Sequence, residues 1–125
     1  MLTWEVALCD EIAEMMNYKM CLMWAEALTW DGDTATIAIE GEDRSVTVTK
    51  RQLVDAAVRI AKWHWNALFT PGEAQMLCGK EYSTAIFETV RSHAAGQRDD
   101  CGFDIDAECA DIIVQFAVFD ELVYG

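Results

Sequence analysis

Between Thr34 and Thr49 the apolar residues of this chain fall on every second position, whereas on either side they recur every three or four. Ala35, Ile37 and Ile39 alternate with Thr34, Thr36 and Ala38, and Val46 and Val48 alternate with Ser45, Thr47 and Thr49. A period of two sends successive side chains to opposite faces of a strand; a period near 3.6 gathers them on one stripe of a helix. The intervening Glu40-Gly41-Glu42-Asp43-Arg44 is turn-like, so the segment at about 34–49 reads as a β-hairpin within a mainly helical chain. A lone hairpin is marginal in water and must pack on helices or extend its sheet. The expected fold class is α+β, mainly α. The 125 residues, 53% of them apolar, suffice for one core and a single domain over 1–125.

Ahead of the hairpin, Leu2, Val6, Cys9, Ala13, Met16, Met20, Met23, Ala27 and Trp30 recur at alternating steps of four and three. That is a coiled-coil-like seam, and it predicts a long helix at about 3–30, capped by Thr3 and stopped at Asp31-Gly32. Such a helix would be about 42 Å long, more than the ~35 Å diameter of a compact domain of this size. Either it breaks near Asn17-Tyr18 or its end packs on another copy. The seam is then ordinary core or a homodimer contact, with Met16, Met20 and Met23, joined by Phe116 and Phe119, as its candidate residues.

Behind the hairpin, Thr49-Lys50-Arg51-Gln52 is a capping box that opens a helix at about 50–69, with Leu53, Ala57, Ile60 and His64 on one apolar line. Thr70-Pro71-Gly72-Glu73 is a second box, starting a short helix at about 71–78. A further helix is expected at about 81–95. Asp106 is a good N-cap for the last, at about 106–123, where Cys109, Ile112, Ile113, Phe116, Phe119 and Val123 face inward. Val114, Val118 and Leu122 make that helix apolar over most of its circumference, which implies a central position or a subunit contact.

Charge is segregated along the chain. Residues 1–49 carry a balance of −8, residues 50–98 a balance of +3 and residues 99–125 again −8, within a net charge of −13. The acidic surplus argues against direct nucleic-acid binding and against an anionic membrane surface. No stretch reaches the ~18 apolar residues of a membrane helix. Glu5, Asp10 and Glu11 interrupt the first apolar residues, so no signal peptide is expected. The five cysteines are odd in number and form no C-x-x-C pair. A cytoplasmic location with reduced, mostly buried thiols follows.

Two acidic clusters stand out as candidate partner-binding residues: Glu40, Glu42 and Asp43 in the hairpin turn, and Asp99, Asp100, Asp104, Asp106, Glu108 and Asp111 before and within the last helix. The second fails the EF-hand spacing, and Asp106 and Glu108 have ordinary work as cap and dipole partner. Trp63-His64-Trp65 lies beside Arg59 and Lys62, but consecutive helical residues point about 100° apart, so the two rings make no common platform. His64 belongs on the apolar stripe. Cys78 or Cys101 with His93 would be a nucleophile pair only through the fold, and zinc lacks a close ligand pair. No catalytic residue, metal or cofactor is expected.

The hairpin Thr34–Thr49 running into Lys50-Arg51-Gln52-Leu53-Val54-Asp55-Ala56-Ala57 resembles small uncharacterised proteins of tailed phages that infect actinobacteria. So does the ending Asp104-Ile105-Asp106-Ala107-Glu108-Cys109-Ala110-Asp111, followed by an apolar helix and Tyr124-Gly125. The resemblance implies expression inside a bacterial host and a role in altering host or defence proteins; it carries over no site residues. The expected function is a non-enzymatic interaction protein that docks on a host or partner protein through an acidic surface, in one variant as a DNA mimic. The alternatives are a self-assembling helical module, and a small enzyme or ligand-binding domain using Cys78, His64 or His93.

Overall fold

The alternating segment forms two strands, and a third precedes them. The computed structural model describes residues 1–18, 21–69, 78–97 and 105–124. In chain order its elements are α1 (Thr3–Met16), β1 (Ala25–Asp31), β2 (Thr34–Ile39), β3 (Ser45–Thr49), α2 (Lys50–Phe69), α3 (Lys80–Ala94) and α4 (Ala107–Phe119). The strands form one antiparallel sheet in the order β1-β2-β3.

The long helix at 3–30 is thus corrected. It breaks at Asn17, as its excess length requires, and its second half is β1 rather than helix. Trp30 fits a period of two with Leu28 as well as it fits the seam with Ala27. As a strand Leu28 and Trp30 sit opposite Ile37 and Ala35 and complete the buried face of the sheet. Asp31-Gly32, read as a helix stop, is part of a hairpin turn instead. Asp31 pairs with Thr34, and Gly32 sits at φ +61 as the first of two turn residues, the position a type II′ turn gives to glycine. The hairpin becomes a three-stranded sheet because the free edge of β2 would otherwise leave its backbone groups unpaired.

The inner face of the sheet is Ala35, Ile37, Ile39 and Val48, all buried. Its outer face is a grid of small polar and small apolar side chains in which Thr29, Thr36 and Thr47 lie in one cross-strand row. Thr49 both ends β3 and caps α2: its Oγ1 accepts from the Gln52 amide at 3.1 Å while Gln52 Oε1 accepts from the Thr49 amide at 2.8 Å. The capping box thus turns the chain from strand into helix without a loop.

The core lies between the sheet and the four helices. α2 contributes Leu53, Val54, Ala57 and Ile60, α1 Leu8 and Ile12, and α3 Ile86. α4 takes the central position its sequence suggests: Cys109, Ala110, Ile112, Ile113, Val114 and Phe116 are all buried, and it packs on α1, α2, α3 and β3. Asp106 caps it as expected, with Oδ1 accepting from the Cys109 amide at 2.8 Å. It ends at Phe119 rather than at 123, because Asp120 adopts the left-handed conformation at φ 64. The helix expected at 71–78 lies outside the described residues, apart from the buried Cys78.

Candidate functional site

Past Asp120 the chain folds back along α4, and the buried side chain of Gln115 holds it there. Gln115 Oε1 accepts from the amides of Val123 and Tyr124, both at 2.8 Å, and its Nε2 donates to the Tyr124 carbonyl at 2.9 Å. The side-chain amide stands in for a neighbouring strand. It lays the Tyr124 ring flat on Trp24, with centroids 5.2 Å apart and planes 7° from parallel. Phe119 meets both rings edge-on.

Trp24, just before β1, ties this aromatic group to both acidic clusters. Its indole Nε1 donates to Asp111 Oδ1 at 2.7 Å, and its carbonyl accepts from the Glu40 amide at 2.9 Å. Arg44 folds onto the turn, donating to Glu42 Oε2 at 2.7 Å. The β2–β3 turn, through the Glu40 backbone, and the first half of α4, through the Asp111 carboxylate, far apart in sequence, thereby meet at Trp24. Glu40 and Asp43 are exposed and make no ion pair among the described residues.

Beside this floor lies a cavity of about 820 Å³, within the range of small-ligand sites. Trp24, Tyr124 and Tyr82 supply its rings, Glu108 and Asp111 its carboxylates, and Met23 and Leu122 its exposed apolar rim. Asp111 Oδ1 takes both the Trp24 bond and one from Gln115 Nε2 at 3.1 Å; Oδ2 has no hydrogen-bond partner among the described residues. Burial pushes the Asp111 carboxyl above its ordinary value, against the pull of these two donors. Tyr82 donates to Glu108, and that bond pushes its hydroxyl up to about 12.

The other sequence candidates are distributed differently. Asp106 serves as the α4 cap, and Asp99, Asp100 and Asp104 lie outside the described residues. Of the seam residues, Met16 and Phe116 are buried in the chain's own core and Phe119 packs on Trp24 and Tyr124, so these three spend their apolar surface within the chain. Met23 is 68% exposed at the cavity rim, and Met20 lies outside the described residues. His64 is buried, with Nδ1 2.9 Å from Ser83 Oγ and its ring against Phe87. His93 is buried with Nε2 2.7 Å from Glu11 Oε2. Cys9, Cys21, Cys78 and Cys109 are buried free thiols, and burial pushes Cys21 and Cys78 up to about 11 and Cys109 higher still. Among the described residues no three His, Cys, Asp or Glu side chains converge as a metal site, and no helix is long and apolar enough to cross a membrane.

The carboxylates of this site are visible as charge runs in the sequence. Trp24, Tyr82 and Tyr124 escape sequence reasoning because each is brought to the cavity by a different element. Comparison with protein-family models, curated proteins and solved structures finds no match to this chain.

Proposed function

We propose that the protein is a non-enzymatic interaction protein whose acidic, aromatic face receives a basic segment of a partner protein. One observation carries this reading: Glu108 and Asp111 of the α4 cluster line an open cavity beside the Trp24–Tyr124 pair, and the backbone of Glu40, at the start of the acidic β2–β3 turn, is bonded to Trp24. Carboxylates at a rim steer a cationic partner and set its orientation, while an apolar, aromatic centre supplies the contact energy. The partner class is a protein with an exposed run of Lys or Arg. A nucleic-acid-binding protein offers such a run, and occupying it makes the chain a DNA mimic. The resemblance to phage proteins gives this reading its setting, a bacterial host whose own proteins are the targets.

The test is affinity capture from a bacterial lysate at low and high salt, with the wild type and with Glu40, Glu42 and Asp43 reversed to Lys. The proposal expects a specific partner that is lost at high salt and lost with the reversed turn. Capture that survives both changes contradicts it.

A second reading, self-assembly, draws on a separate observation. α2 and α3 form an apolar groove of about 470 Å³, lined by Trp4, Val58, Trp65, Phe87 and Val90, with Trp65 49% and Phe69 67% exposed beside it. Two such grooves facing each other would give an isologous homodimer contact, which needs about 800 Å² from each copy. Sedimentation of the wild type and of Trp65→Glu tests it: a wild-type dimer that the variant dissociates supports the reading, and a wild-type monomer at high concentration rejects it.

A further inference from the structure

The cavity beside Trp24 brings together two features that favour a particular cation. Its carboxylates are of two kinds: Asp111, half-buried and fixed by two hydrogen bonds on Oδ1, and Glu108, exposed and bonded to Tyr82. Three aromatic rings, Trp24, Tyr82 and Tyr124, line the same space.

We propose that this cavity is the anchor pocket of the interaction face and that it takes an arginine side chain of the partner. The inference rests on the acidic-face reading above and names the group recognised there. Guanidinium suits the site better than ammonium for three reasons. It is planar and stacks on aromatic rings, which attract a cation within about 6 Å of their centroids. It presents several N–H donors in one plane, so it can reach Asp111 Oδ2 and Glu108 together. It is also less strongly hydrated than an ammonium, so entering a pocket with apolar walls costs it less. The volume of about 820 Å³ exceeds one side chain, leaving room for the flanking backbone of an extended segment along Met23 and Leu122.

The experiment is a two-dimensional NMR titration of the intact protein with N-acetyl-arginine amide, N-acetyl-lysine amide and N-acetyl-norleucine amide, following the Trp24 indole N–H. The arginine probe should shift that signal with saturation. The lysine probe should bind several-fold more weakly, and the neutral probe should leave the signal unmoved. Asp111→Asn keeps an oxygen for the Trp24 and Gln115 donors while removing the charge, and it should weaken the arginine probe about tenfold; Glu108→Gln is the second variant, at the solvent end. Equal binding of the neutral probe overturns the cation site, and equal binding of lysine overturns the choice of guanidinium. If no probe shifts Trp24 while lysate capture still depends on Glu40, Glu42 and Asp43, the pocket assignment falls and the acidic-face reading stands. If capture shows no such dependence either, both fall.

Discussion

Gln115 is a buried polar side chain among apolar neighbours, and its amide uses both ends: two backbone donors on Oε1, two acceptors on Nε2. Leucine fills the volume but meets none of these groups. Gln115→Leu should therefore cost about 1–3 kcal/mol, lower Tm by several degrees, and abolish the near-UV circular dichroism of the stacked Trp24–Tyr124 pair. Asp111 is the opposite case. Burial raises its pKa and so disfavours its charged form, and Asp111→Asn should leave Tm unchanged or raised, as thermal melts will show. For His64, burial lowers the pKa below its usual 6.5. The unfolded chain then takes the proton first as pH falls, so the stability His64 contributes is complete above about pH 6.5 and declines below it. Chemical denaturation at pH 7.5 and 5.5 should show a larger loss for the wild type than for His64→Asn. The raised thiols of Cys21, Cys78 and Cys109 should resist alkylation at pH 8 in the native protein and react fully in denaturant, as read by peptide mass mapping.

At the scale of the element, local chemistry and long-range pairing divide what a sequence reveals. The capping box at Thr49–Gln52 and the Asp106 cap are legible because each is closed within three residues, and α2 and α4 follow from them. β1 is not legible, because Ala27 and Trp30 fit a helical seam while Leu28 and Trp30 fit a strand. The open edge of β2 decides between them, and no window around residue 28 contains it. The same holds for the cavity. Its carboxylates are conspicuous as charge runs, but Trp24 and Tyr124 meet only because the tail turns at Asp120 and is held by Gln115. Cross-strand Overhauser contacts should link Leu28 to Ile37 and Trp30 to Ala35; contacts of i to i+3 type through 25–31 would contradict the strand. Gly32→Val should destabilise by about 1–2 kcal/mol, because a branched residue is strained at φ +61.

For the whole molecule, three bases of the basic middle of the chain pair with acids of its two ends. Lys50 pairs with Asp10 and Asp33, Arg51 with Glu5 and Asp55, and Arg59 with Asp120, so α2 ties α1, the β1–β2 turn and the tail to one another. These pairs are mostly exposed and individually weak. Among the acids outside these pairs are the exposed Glu40 and Asp43 on the β2–β3 turn and Glu108 on α4. The most direct test of a single binding face there is an NMR titration with an arginine-rich peptide at low salt. The Trp24 indole N–H and the amides of Gly41 and Glu42 should shift along one common isotherm that weakens as salt rises, while the Trp65 indole N–H stays in place. Separate isotherms for Trp24 and the turn, or a shift confined to Trp65, would contradict the account.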